Sequence, residues 1–224
     1  MTVDILIPTI GRADRLAAVA ANIHDATEAE HRVVFIVEEH DGASFDAASA
    51  TGDTVLTNEH ARNYAGAIQT GYEHTGGRYL FCGSDDLRFH HGWDRAAVAT
   101  MEALPHLRVV GTNDLLNPYV AAGTHATHSL TDRRYLDEVG GVIDGGPGTY
   151  LNTMFDHQFT DTEYIGTAKA RAVFAPCMDS IVEHMHFLAG KSDHDATYER
   201  AYAELAADEA TYMARRELWW NVSR

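Results

Sequence analysis

The chain has 224 residues, 45% of them hydrophobic and 22% charged, a composition that builds one globular core with at most a small appended lobe. Its formal net charge of −16, from 33 acidic against 17 basic residues, sets net repulsion against nucleic acid and other polyanions. The two cysteines, Cys82 and Cys177, form no C-x-x-C pair, which argues against a disulfide framework or a thiolate zinc site and makes each a small core residue.

The N-terminus, Met1-Thr2-Val3-Asp4, carries no basic segment followed by an apolar run, and no apolar stretch is long enough to span a bilayer. A cytoplasmic location is the expectation. Apolar runs bounded by turn residues then recur at Val3 to Ile7, Val33 to Val37, Thr54 to Leu56, Tyr79 to Cys82 and Val109 to Gly111, and they read as buried strands. Between them, Leu16, Val19, Ala20 and Ile23 share one helix face, and Tyr64, Ala67, Ile68 and Tyr72 share another. Alternating strands and helices predict an α/β fold with a mostly parallel central sheet flanked by helices. Sheets of this kind bind ligands at the carboxyl ends of their strands, where Pro8 to Gly11, Glu38 to Asp41 and Gly83 to Asp86 fall.

Residues 112 to 150 are rich in Asn, Gly and Pro and predict long loops around a short helix from Asp132 to Val139. The stretch from Asp195 to about Glu217 places Tyr198, Tyr202, Leu205 and Tyr212 on one face of an amphipathic helix that docks on the core, with Glu209 interrupting that face. The division expected is a single domain, with a nucleotide-binding half over 1–111, an acceptor and catalytic half over 112–192 and a C-terminal helix over 193–224.

Ser84-Asp85-Asp86 follows the strand Tyr79 to Cys82, where the chain turns toward the ligand crevice. Two adjacent carboxylates there suit Mg²⁺ or Mn²⁺, which takes one or two protein carboxylates and completes its shell with phosphates and water. Taken alone, the pair fits a solvated turn that caps the segment from Leu87 better than a metal site. Its neighbours change that balance.

The run Asp4-Ile5-Leu6-Ile7-Pro8-Thr9-Ile10-Gly11-Arg12 resembles the first strand and nucleotide loop of the inverting glycosyltransferases of family 2. Val34 to Glu39 is similar to that family's second strand, which ends in paired acids, and Ala61-Arg62-Asn63 to Gly71 is similar to its Arg/Asn-containing helix. Gly77 to Phe81 leads into an Asp-x-Asp-type motif at Ser84-Asp85-Asp86. The resemblance covers residues 3 to about 95 well and implies the GT-A fold, a Rossmann-like nucleotide-diphospho-sugar transferase architecture. It further implies a donor site containing Pro8, Thr9, Arg12, Arg62 and Ser84, with Glu38 or Glu39 accepting from the base, Asp85 facing the ribose or sugar and Asp86 on the metal. The family usually has aspartates where this chain has Glu38-Glu39, which leaves the nucleotide open.

Phe159-Thr160-Asp161-Thr162-Glu163-Tyr164 resembles the family's acidic motif beside the acceptor, and by alignment Asp161 is the base that takes the acceptor proton. Asp156, Glu163 and Asp144 are the reserves. Thr160 and Glu163 also fit a capping box, and the cap and the base can coexist on one helix end. In Val182-Glu183-His184-Met185-His186, period-2 spacing puts both histidines on one strand face, and the resemblance makes His184, or else His186, a metal ligand. Lys191, Asp193, His194 and Asp195 extend this segment as a flap over the donor. Trp93 shares a helix face with Ala97 and Met101 and is expected in the core.

The function expected is a metal-dependent glycosyltransferase that moves a hexose-type residue from a nucleoside-diphosphate sugar to a hydroxyl on a glycan, protein or small molecule, with inversion in preference to retention. The chain lacks the Gln-x-x-Arg-Trp motif of processive synthases, so single additions are expected. The alternatives are a nucleotidyltransferase acting on sugar phosphates, which should carry a Gly-rich basic loop that Gly11-Arg12 alone does not make, and a non-catalytic nucleotide-sugar or carbohydrate-binding relative.

Overall fold

In the computed structural model, which describes residues 2–220, one eight-stranded sheet runs through the molecule in the order β3-β2-β1-β4-β7-β6-β8-β5. The strands are β1 (Thr2–Thr9), β2 (Glu30–Val37), β3 (Thr54–Thr57), β4 (Tyr79–Cys82), β5 (Leu87–Phe89), β6 (Val109–Asn113), β7 (Ser129–Asp132) and β8 (Phe174–His184). The helices are α1 (Leu16–Ala26), α2 (Gly42–Ala50), α3 (Tyr64–Glu73), α4 (Trp93–Ala103), α5 (Pro118–Ala121), α6 (Arg133–Glu138), α7 (Thr160–Ala170), α8 (Ala196–Ala203), α9 (Leu205–Arg215) and α10 (Glu217–Trp220).

All five expected strands and both helical faces form. β3, β2, β1 and β4 pair in parallel, and β6 pairs in parallel with β8. Antiparallel pairing enters where β7 inserts between β4 and β6, and where β5 lies on β8. Strand alternation sorts the apolar side chains into two cores, as a pleated sheet covered on both faces requires. Ile5, Ile7, Phe35 and Phe81 pack with Leu16 and Ile23 of α1 and Trp93 and Met101 of α4. Leu6, Val34, Ile36 and Leu80 pack instead with Ile68 of α3, Leu136 of α6 and Ile165 of α7. Trp93 is fully buried, edge to face on Phe81 at 4.7 Å and on Phe89 at 5.1 Å, so it is core and not a platform for sugar. Both cysteines are free and buried.

Three features depart from the sequence expectation. Within the long middle stretch, β7 and the one-turn α5 are ordered elements too short for periodicity to show. The C-terminal amphipathic helix is three helices, broken at Glu204 and Arg216. Tyr198 is buried, but Tyr202 and Leu205 are exposed and Asp208 is buried in their place. Finally, the capping box is not made. Thr160 is the first helical residue of α7 behind a left-handed Phe159, and Glu163 is drawn away by Asn152 and by Arg215, whose Nε donates to it at 2.8 Å.

Candidate active site

The carboxyl ends of β1, β2 and β4 open on a cavity of about 560 Å³ that α8 covers. Local structure explains why the acidic turn lies there. Gly83 donates its backbone N–H to the Leu6 carbonyl at 2.9 Å, and a Cβ at Gly83 would stand 2.7 Å from Ile7 Cδ1, so only glycine lets β4 turn this close to β1. The chain then turns through Asp85 and Asp86 into β5.

β5 also delivers the histidine. It pairs antiparallel with β8 so that Leu87 faces His184, and Met185 donates its backbone N–H to the Asp86 carbonyl at 2.8 Å. His184 Nε2 consequently lies 3.3 Å from Asp86 Oδ2. Ser84 Oγ donates to Asp86 Oδ1 at 2.5 Å and the Tyr198 hydroxyl donates to Oδ2 at 2.9 Å. Burial works to raise the Asp86 pKa, but His184, the Ser84 hydroxyl and the Arg12 charge outweigh it and hold the carboxyl well below the usual range.

Asp85 sits differently. Thr9 Oγ1 donates to one of its oxygens at 2.7 Å and Arg12 Nη1 to the other at 2.7 Å. Burial dominates and, with the adjacent Asp86, pushes its pKa up to about 6 against the pull of Arg12. Arg12 is itself 4% exposed, and its guanidinium lies 4.3 Å over the Tyr198 ring and donates twice to Asp195.

Asp161 stands in the first turn of α7 on the same cavity. Its Oδ1 accepts from the Thr162 N–H at 2.7 Å and its Oδ2 lies 3.0 Å from His125 Nε2. Burial works to raise its pKa, and the His125 partner outweighs that to leave it below the usual carboxylate range. The imidazoles of His128 and His186 also line the cavity. Burial lowers His128 and His186 each to about 4, so both are neutral at neutral pH.

Residues 4–156, which run from β1 through the acidic turn to the loop before α7, match the family model described as Glycosyl transferase family 2. The chain belongs to that family. No curated protein matches it in sequence. Among solved structures it is similar to glucosyl-3-phosphoglycerate synthase from Mycobacterium tuberculosis with Mn²⁺, UDP-glucose and phosphoglyceric acid, at 13% identity over 96% of this chain and 80% of that one, with a TM-score of 0.64. It is also similar to a mycobacterial protein, at 12% identity over 88% of this chain and 69% of that one, with a TM-score of 0.63. At such identities the likeness is one of fold, and it is the GT-A fold expected from the sequence. The protein is a glycosyltransferase, which decides against the nucleotidyltransferase alternative.

Of the expected site residues, this glycosyltransferase brings Pro8, Thr9, Arg12, Glu38, Arg62, Ser84, Asp85, Asp86, Asp161, His184 and His186 to one cavity. Glu39 is exposed and is not part of the cavity wall, which leaves Glu38 as the acid at the end of β2, held by Asn58 Nδ2 at 2.7 Å. Among the reserves, Glu163 and Asp144 are both bound by Arg215, and Asp156 lines the cavity. Sequence reading did not assign Tyr198 to the acidic turn. His128, which the sequence places in a loop without a role, also stands on the wall, as does Asn63, the N-cap of α3; His157 was not expected there, because it comes from a loop far along the chain.

Among the described residues no three His, Cys, Asp or Glu side chains converge as a metal shell. Asp86 and His184 nonetheless fit a divalent cation that draws its remaining ligands from phosphate and water, since they offer one ionised carboxylate and one imidazole nitrogen at the crevice. His186 fits less well, because its Nδ1 already accepts from the Leu188 N–H at 3.2 Å.

Proposed function

We propose that this glycosyltransferase moves a hexose from a nucleoside-diphosphate donor to an acceptor hydroxyl, one residue per turnover and with inversion, using a divalent cation held by Asp86 and His184. The observation that carries this reading is that Asp85, Asp86, His184 and Asp161 line a single cavity at the strand ends of a family 2 fold. A uridine donor is the first candidate, because structures of similar fold hold UDP with Mn²⁺ or with Mg²⁺. A small anionic acceptor is supported in the same way by the phosphoglyceric acid in one of them.

In this reading Thr9 and Arg12 hold Asp85 against the donor, and Glu38 and Arg62 flank the nucleotide. Asp161 takes the proton of the acceptor hydroxyl as its oxygen bonds to the anomeric carbon, and the bond from that carbon to the diphosphate oxygen breaks with its electron pair going to the diphosphate. A bound cation supplies charge neutralisation on that leaving group.

The test is a panel of nucleotide sugars with Mn²⁺, scored by thermal stabilisation and by nucleoside diphosphate release. Absence of any response, with and without metal, would sink the transferase mechanism. Asp86→Ala should abolish metal-dependent donor binding, whereas Asp161→Asn should retain binding and lose transfer by about 100-fold or more. NMR of the product's anomeric proton distinguishes inversion from retention.

A further inference from the structure

His125 belongs to none of the roles above, yet it is the strongest partner of Asp161. It stands on the loop between α5 and β7, which is fixed at several points. Thr124 donates through its N–H and its Oγ1 to the Tyr119 carbonyl at 2.9 and 3.0 Å, and Thr127 Oγ1 donates to Asp114 Oδ2 at 2.7 Å. Lys169 of α7 donates to the Thr124 carbonyl at 3.0 Å, so the loop is tied to the helix that carries Asp161. The imidazole is 15% exposed. Thr162, the other donor to the Asp161 carboxylate, belongs to the same helical turn and moves with it. The bond to His125 is therefore the contact that references the carboxylate to the rest of the fold.

We propose that His125 is a positioning residue for the base Asp161: its Nε2–H fixes Oδ2, and its charge sets how readily the carboxylate takes a proton. The proposal rests on the reading of Asp161 as base. Oδ1 accepts from the N–H and the hydroxyl of Thr162, at 2.7 and 3.3 Å, whereas Oδ2 has His125 as its one donor and keeps a further lone pair for the acceptor hydroxyl. The charged groups facing His125 are Asp161 and Lys169 from α7 and Asp114 from the end of β6. Burial lowers the imidazole pKa, but the bond to Asp161 and the two carboxylates outweigh burial and Lys169, and the ring titrates above its ordinary value.

The sign follows from this. While the ring is protonated, its positive charge stabilises the carboxylate and weakens it as a base. When the ring loses its Nδ1 proton it still donates from Nε2, so the orientation is kept while the charge is removed. His125 Nδ1 has no protein partner among the described residues, which leaves that proton free to exchange. The proton of the acceptor hydroxyl goes to Asp161, and the proton count on His125 does not change during transfer.

The experiment measures release of UDP from UDP-glucose with Mn²⁺ against pH, water standing in for the acceptor, in the wild type, His125→Gln, His125→Leu and Asp161→Asn. The wild-type kcat should rise roughly threefold to tenfold as His125 deprotonates, with little change in KM. His125→Gln, which keeps a donor without a titrating charge, should lose that rise and remain within about threefold of the wild-type plateau, whereas His125→Leu should lose kcat by about tenfold or more. By NMR, the His125 ring should titrate above the ordinary range of about 6.5 in the wild type and return toward it in Asp161→Asn. A rise that survives in His125→Gln, a His125→Leu enzyme with the wild-type kcat, or an ordinary ring titration in the wild type overturns the proposal and leaves the reading of the site standing. Full turnover by Asp161→Asn overturns both.

Discussion

Arg12, on the loop after β1, and Asp195, the N-cap of α8, share two hydrogen bonds across 183 residues of sequence, Nε to Oδ2 at 2.9 Å and Nη2 to Oδ1 at 3.1 Å. Asp195 also accepts from the Thr197 and Tyr198 N–H groups at 3.1 Å each, so one carboxylate both starts the covering helix and fastens it to the loop after β1. Thr197 Oγ1 adds a bond to the Ile10 carbonyl at 2.9 Å.

Replacing Arg12 removes its charge from three carboxylates at once, Asp85, Asp86 and Asp195. Asp85, 4% exposed, would keep only the Thr9 hydroxyl, and breaking a buried pair from one side costs about 3 kcal/mol or more. Arg12→Met should therefore lower the unfolding free energy from urea denaturation by that amount, with a matching fall in the midpoint, and weaken donor binding. Arg12→Lys should recover little, because an ammonium cannot reproduce the planar fork that reaches Asp85 and Asp195 together. Unchanged midpoints in both variants would show that the pair adds nothing to the fold.

Asp208 of α9 does for the loop before α7 what Asp195 does for the loop after β1. Its buried carboxylate accepts from the backbone N–H groups of Asp156, His157 and Gln158 at 2.7, 2.9 and 2.7 Å. The next residue, Phe159, has φ +63° and stacks on Tyr212 of α9 at 4.8 Å. That left-handed backbone is costly for a bulky side chain and persists only because its surroundings hold it. Asp208→Ala should cost about 3 kcal/mol, from three donors left without their acceptor, and should reduce transfer more than donor binding. Equal loss of both, measured by calorimetry and turnover, would place the effect outside the loop of residues 156–158.

These long-range ties mark the limit of what the sequence shows. The acidic turn was legible because Ser84, Asp85 and Asp86 adjoin the apolar strand Tyr79–Cys82, and strand ends are where a parallel sheet binds its ligands. Pairings across 183 residues for Arg12 with Asp195, 112 for Tyr198 with Asp86 and 52 for Asp208 with the Asp156 N–H leave no trace in local periodicity. β5 spans three residues and β7 four, too few to establish a period of two, and β8 alternates with exposed polar positions such as Asp179, so only its end at Val182 to His186 stood out. In the C-terminal stretch the periodicity identified a helix but put its apolar stripe against the core, whereas the burial of Asp208 follows from the donors it meets.

The His125–Asp161 pair should also shape stability against pH. His125 has a raised folded pKa, so its contribution is complete below its unfolded value of about 6.5 and is lost as pH rises through the folded one. Asp161 has a lowered folded pKa, so its contribution is complete above about 4 and is lost as pH falls through the folded one. The pair therefore stabilises most between about pH 4 and 6.5. His125→Gln should cost about 1.5 kcal/mol at pH 5.5 and clearly less at pH 9, by denaturant midpoints at the two values. A cost independent of pH would mean that the pair is not ionised.

Tyr198 competes with any cation for Asp86. Its hydroxyl donates at 2.9 Å to Oδ2, the same oxygen that His184 approaches at 3.3 Å, while Oδ1 is taken by Ser84. A cation held by Asp86 and His184 would compete with the hydroxyl, and α8 would then keep its Arg12 and Ile10 contacts but give up this one. Removing the hydroxyl spares the cation that competition, worth about 1 kcal/mol for one hydrogen bond. Tyr198→Phe keeps the ring under Arg12 and should bind Mn²⁺ about fivefold more tightly, by calorimetry without nucleotide. Weaker Mn²⁺ binding in Tyr198→Phe would instead show that the phenol oxygen belongs to the cation site, and α8 would then close on the metal rather than yield to it.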